Sequence, residues 1–253
     1  MFRRSRGAPA PSVARLLVMT PGQLRDLFGG DPALAASWVR LAAGHGMAAA
    51  QVRLGRMLLE GAGMPCDPAA ALGWFRTAAR AHDAEAMNMV GRCYENGWGI
   101  AADSAQAATW YRRAAERGDA WAQYNLGHLL LDGNGVPRDP AAAFLWYCRA
   151  AGQGHARAMN LVGRCCEAGW GTAPDLAAAA EWYRRSAEQG YFRGQYNHAS
   201  LLLGQGRPAE AVAWFRRAAE SGTAAVRAAA LAAIEAVARR GGHRGKDLVN
   251  HLI

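Results

Sequence analysis

Apolar residues return every three or four positions along stretches such as AWAQYNLGHLLLD at 120–132, a spacing that predicts an amphipathic helix. Gly133-Asn134-Gly135 ends that helix, because glycine supplies the left-handed conformation that a helix stop needs. Asp139-Pro140 then opens a second helix: the carboxylate accepts bonds from first-turn amides, and proline suits the first helical position. The same pair stands at Asp31-Pro32 and Asp67-Pro68, while Asp103 and Asp175 keep the cap without the proline. The second helix carries a tryptophan. Trp38, Trp74, Trp110, Trp146 and Trp182 fall 36 residues apart, and Trp214 follows after 32. Such a beat requires a chain built from one repeated helix hairpin.

Each hairpin therefore has a helix A and a helix B. Gly55, Gly91, Gly127 and Gly163 let helix B approach helix A, and the tryptophans are expected in the core between adjoining hairpins. No single hairpin can bury its apolar stripe, so neighbours must stack. The segments AEAMNMVGRCYENGWGIAADSAQAATWYRRAAERG and ARAMNLVGRCCEAGWGTAPDLAAAAEWYRRSAEQG share the motif A-x-x-x-[LV]-G…G-x-G…D…A-x-x-W-[YF]-R-x-[AS]-A-x-x-G with their neighbours. That motif resembles the Sel-one-like repeat, a relative of the tetratricopeptide repeat. The resemblance implies an all-α, right-handed superhelical α-solenoid with five repeats at 47–82, 83–118, 119–154, 155–190 and 191–222. The last repeat lacks the glycine-rich loop and turns straight into helix B through Leu203-Gly204-Gln205-Gly206-Arg207-Pro208.

Both ends depart from the motif. Residues 1–11 read as a disordered basic leader and 12–46 as a degenerate capping repeat that keeps Asp31, Pro32 and Trp38. Residues 223–253 read as a capping helix, with Val226, Ala230, Ile234 and Val237 on one face, followed by a basic tail. The net charge of +9 sits mostly at these ends: residues 1–25 carry +5 and residues 239–253 carry +3, which leaves +1 for the array. A near-neutral array makes nucleic acid or a membrane surface the lesser alternative, reached only through the basic termini. No apolar run is long enough to span a bilayer, and no export signal is evident, since Arg15 interrupts the apolar run Val13 to Met19. Five cysteines, odd in number and not paired within repeats, agree with a reducing compartment, and bacterial cytoplasm is the expectation, with the periplasm as alternative.

Repeats two and four share MN-[ML]-VGRC…E…GWG, whereas repeats one, three and five share Gln51, Gln123 and Gln195. The central period is therefore 72 residues. It fits a duplicated two-repeat block, or a partner that touches alternate repeats. In the related tetratricopeptide arrays helix A lines the concave groove, which implies a binding face made of Arg56, Asn88, Arg92, Glu95, Trp121, Tyr124, His128, Asn160, Arg164, Glu167, Arg193 and Tyr196. Amides, guanidinium forks and rings on one face suit an extended peptide. A purely solvated face would instead pair Arg92 with Glu95 and Arg164 with Glu167 along the helix. Trp98 and Trp170, in the middle of Gly-x-Gly loops, are further candidates, either as exposed anchors or as rings folded over their own loop.

Catalytic signatures do not emerge. The only lysine is Lys246, which excludes a phosphate loop, and neither Gly-x-Ser-x-Gly nor His-Glu-x-x-His occurs. Cys93 and Cys165 hold one repeat position two layers apart, about 20 Å at roughly 10 Å per helix layer, too far to share a metal or a disulfide. Cys148 replaces the arginine of Arg76, Arg112, Arg184 and Arg216 and is expected as an exposed thiol on the outer face. The sequence thus predicts a non-catalytic adaptor without metal or cofactor, monomeric or weakly dimeric, that binds a protein segment in a bacterial signalling, envelope or secretion assembly. A hydrolase acting on cell-wall or β-lactam compounds, as among cysteine-rich relatives, is the reading from another class.

Overall fold

Five aspartates set the register of the helices. Asp31, Asp67, Asp103, Asp139 and Asp175 each accept a first-turn backbone N–H at 2.9 Å from the helix that follows. A computed structural model describes residues 30–240 together with Ser12. The leader, the first half of the N-terminal cap and the basic tail lie outside the described residues.

The aspartates start α1 (Pro32–Gly44), α3 (Pro68–Arg80), α5 (Ser104–Glu116), α7 (Pro140–Gly152) and α9 (Leu176–Glu188), the B helices. The A helices are α2 (Ala48–Glu60), α4 (Ala84–Asn96), α6 (Ala120–Asp132), α8 (Ala156–Ala168) and α10 (Phe192–Gly204). Helices α11 (Pro208–Ser221) and α12 (Ala224–Arg240) follow. Among the described residues there is no strand, and the fold is an all-α solenoid in which successive helices pack together within each unit. No described helix is long and apolar enough to cross a membrane.

The chain forms two compact units, Met1–Ala122 and Gln123–Ile253. In the first, α1, α2, α3, α4 and α5 pack in succession, and α2 also touches α4. In the second, α7 to α12 do the same, with further contacts of α8 with α10 and of α10 with α12. The second unit ends in a cluster in which Phe215 and Val212 of α11 meet Leu202 of α10 and Ala230, Ile234 and Val237 of α12.

The hairpins close on an aromatic ring, and it is not the ladder tryptophan. A Cβ on Gly55, Gly91, Gly127 or Gly163 would overlap the ring of Phe75, Tyr111, Tyr147 or Tyr183, respectively. Those four rings and Phe215 are at most 1% exposed, and burying each contributes about 1.5–3 kcal/mol. Of the ladder tryptophans only Trp38 is core, at 2% exposure. Trp74, Trp110, Trp146, Trp182 and Trp214 are half-buried, which corrects the expectation that they form the core. Adjacent residues diverge by about 100° around a helix, so only one of Trp-[Tyr/Phe] can face the glycine. An arginine three residues on covers the tryptophan instead, with Arg113, Arg149, Arg185 and Arg217 lying 4.4–5.0 Å from the ring centroids of Trp110, Trp146, Trp182 and Trp214.

Candidate peptide-binding cleft

In the first unit, helices α2 and α4 face each other across a cleft of about 610 Å³. Arg56, Leu59 and Glu60 of α2 form one wall, Met89 and Arg92 of α4 the other, and Pro68 and Trp98 the end. Spacings of three and four place the lining residues of each helix on one face. Trp98 is brought there by its flanking glycines. Gly97, at φ 72°, stops α4, and Trp98 N–H returns to Cys93 C=O at 2.9 Å. Gly99, at φ 70°, lies so close to the Pro68 carbonyl that a Cβ would overlap it, so the loop is clamped onto the first turn of α3.

Two arginines in the cleft differ in state. Arg56 is half-exposed and pairs with Glu85 at 2.5 Å. The Arg92 guanidinium lies 5.1 Å from the Trp98 centroid and donates to Met89 Sδ at 3.6 Å. Among the described residues no carboxylate pairs with Arg92. The Arg92–Glu95 pair of a purely solvated face is not formed, because Glu95 accepts the Tyr111 hydroxyl at 2.5 Å. Burial first, and then that carboxylate, push the Tyr111 phenol well above its usual range.

The second unit repeats the arrangement 72 residues on. Arg164 lies 4.9 Å from the Trp170 centroid, and Glu167 accepts the Tyr183 hydroxyl at 2.6 Å, not an arginine. A Cβ on Gly171 would overlap the Pro140 carbonyl, as one on Gly99 would overlap Pro68. Part of the 72-residue period is therefore internal packing. Asn88 and Asn160 are 5% and 3% exposed, and Asn197 Nδ2 donates to Asn160 Oδ1 at 2.8 Å, so neither amide is presented to the surface.

The remaining candidates separate. Trp121 is 47% exposed. In the second unit Tyr124 sits 4.6 Å from His128 and 5.0 Å from His155 between centroids, and His128 is 5.6 Å from Tyr147. Tyr124 and His128 thus belong to one ring cluster, built around the Tyr147 that fills the Gly127 gap. Arg193 is exposed, 5.9 Å from the Phe192 centroid, and Tyr196 packs edge-on against Phe215 at 5.3 Å.

Cys148 is half-buried, which corrects the expectation of an exposed thiol, and burial pushes it up to about 11. Burial likewise raises Cys93 to about 11 and Cys165 to about 12, so these thiols stay protonated at neutral pH. Among the described residues no group of three or more His, Cys, Asp or Glu could hold a metal ion. Leu59, Glu60, Pro68 and Met89 escaped the sequence reading. Only the Gly99 clamp, a contact between successive hairpins, brings Pro68 beside Trp98.

The Sel1 repeat model matches residues 48–83, 84–119, 122–155, 156–191 and 193–223. The chain belongs to the Sel1 repeat family. Proteins of this family are generally non-catalytic scaffolds that bind other proteins. The chain is similar to a solved Sel1 repeat protein from Oxalobacter formigenes, with 26% identity over 91% of this chain and 96% of that one and a TM-score of 0.76. A protective antigen of uropathogenic Escherichia coli displaying an SLR fold is 28% identical, over 90% of this chain and 58% of that one, with a TM-score of 0.57. A putative Sel1 repeat protein from Klebsiella pneumoniae shares the fold at 20% identity over 78% of this chain and 98% of that one, with a TM-score of 0.53. No curated protein matches.

Proposed function

We propose that the protein is a non-catalytic adaptor that holds a segment of a partner polypeptide against Arg92 and Trp98 in the first unit, and that Arg164 and Trp170 form an equivalent site in the second. The observation that carries this reading is a guanidinium without a carboxylate partner, held over an indole at the end of a cleft. A protein folded for stability alone gains little from it, since an exposed cation–π contact contributes about 0.5–1 kcal/mol. A ligand carboxylate would add a charge-assisted bond to Arg92. An apolar side chain beside that carboxylate would cover Leu59, Met89 and the indole, two contacts that a peptide supplies together.

Five cysteines without a disulfide support work in a reducing compartment such as bacterial cytoplasm, in a signalling, envelope or secretion assembly. The test is affinity capture with the full chain and the R92E/R164E variant, compared after circular dichroism has established equal helicity. The variant loses the partner proteins that the parent retains. Identical captured sets would contradict the role of these arginines.

A further inference from the structure

The last repeat is four residues short: its Gly204-Gln205-Gly206 runs straight into Arg207-Pro208, and Gly206 has no neighbour within 4 Å of where a Cβ would lie. Elsewhere the Gly-x-Gly loop closes over the start of the preceding helix B: Gly63, Gly99 and Gly171 press on the carbonyls of Pro32, Pro68 and Pro140. Nothing of the kind follows α10. Leu176, at the start of α9, is 64% exposed; at the same repeat position Pro68, Ser104 and Pro140 are half-buried, and Pro32, in the N-terminal cap, is exposed. In place of the loop there is a notch of about 220 Å³, with Ala177 and Arg184 of α9 on one side, His198 and Leu201 of α10 and its C-cap Gln205 on the other, and Arg207 at its edge.

Two positions within the notch have changed accordingly. Leu201 is half-buried, although its counterparts Met57, Cys93, Leu129 and Cys165 are at most 8% exposed. His198 replaces Leu54, Val90, Leu126 and Val162, each at most 1% exposed. Its ring rests edge-on against Trp214 at 5.4 Å, and its Nδ1 is buried without a hydrogen-bond partner. A buried, unsatisfied ring nitrogen costs about 1–3 kcal/mol, which an aliphatic residue would have avoided. The charged groups around the ring are largely occupied: Arg184 is held by Glu181 and Glu188, and Arg207 by Glu210.

We infer that the notch is a second binding site, which takes a glycine-containing turn of a partner polypeptide in the place that the chain's own Gly-x-Gly loop fills in the other repeats. The occupant's small residue lies on the first turn of α9, its apolar side chain covers Leu176 and Leu201, and a polar group satisfies His198 Nδ1 once the ring turns to uncover it. The site shares no residue with the α2–α4 cleft, so it stands whether or not that cleft binds anything.

The probe is a synthetic peptide of the chain's own loop, Asn96 to Asp103, titrated into the full-length protein and followed by NMR. Millimolar affinity is expected for a loop supplied without its covalent tether. The His198 ring and Leu201 methyl signals shift in a saturable way, while a peptide carrying Gly99→Ala leaves them still. Inserting four residues after Gly204, to restore the 36-residue spacing, abolishes the shifts. H198L, which restores the residue of the first and third repeats, weakens binding at least about fivefold, the loss of one hydrogen bond of roughly 1 kcal/mol, with helicity unchanged. That variant decides the matter if the insertion fails to fold. Absence of saturable shifts, or shifts that persist in H198L and with the Gly99→Ala peptide alike, would overturn the inference.

Discussion

At the scale of single residues, the pairing of Gly with an aromatic ring explains why the repeats differ. Where the ring is tyrosine, its hydroxyl needs an acceptor: Tyr111 has Glu95 and Tyr183 has Glu167. Where the acceptor position holds Leu59 or Leu203, the ring is Phe75 or Phe215. Tyr147 breaks the rule. The acceptor position of its repeat holds Leu131, and among the described residues its buried hydroxyl has no partner. Y147F should therefore be neutral or stabilising by up to about 1 kcal/mol, and Y111F and Y183F destabilising by about 1 kcal/mol, measured by urea denaturation. The alternating glutamates are plain in the sequence, but the tyrosine partner is not. An Arg three residues before a Glu on one helix suggests a local pair, and the tyrosine that takes the carboxylate lies 16 residues on, in the next helix.

A second residue carries a pH dependence. His155 caps α8, its ring Nδ1 accepting from Ala158 N–H at 3.1 Å. Burial, and then the nearby Arg157, lower its pKa from 6.5 to about 4. Because the folded state holds the neutral ring, its contribution is complete above about pH 6.5 and is lost as the pH falls towards 4. H155N keeps a capping side chain without that titration. Its melting temperature should fall less steeply than the parent's between pH 6.5 and 4, by calorimetry. Equal slopes would contradict the assignment.

Among elements, the loops are as constrained as the helices. Gly99→Ala meets both a φ of 70° and the Pro68 carbonyl, and should cost more than about 2 kcal/mol by chemical denaturation. Gly73→Ala, mid-helix with nothing within 4 Å, should stabilise by about 0.5–1 kcal/mol. Helix starts were legible because an aspartate cap is a local device, visible within a few residues. The role of the second loop glycine was not, because its cause is the carbonyl of a proline 31 residues earlier in all three repeats that show the clamp. The ladder was legible for the same reason that its meaning was not. Periodicity reports that a position repeats, whereas the choice between Trp and the neighbouring ring for the core depends on where Gly91 and its equivalents point.

For the molecule as a whole, the 72-residue period now divides in two. Asn88, Glu95, Asn160 and Glu167 are accounted for by burial or by tyrosines within the fold. Arg92 with Trp98 and Arg164 with Trp170 are not, and there the protein binds its partner in our account. The family was readable from the motif alone. The cleft was not, because Leu59, Pro68 and Met89 come from three helices and meet only after neighbouring hairpins have stacked. The most direct test of the central claim is photocrosslinking in the source organism, with a benzophenone amino acid at position 98 and a control at exposed Arg112 on α5. The account predicts a polypeptide adduct at 98 that R92E removes and that position 112 does not form. An adduct of the same partner at both positions, or one at 98 that survives R92E, would contradict it.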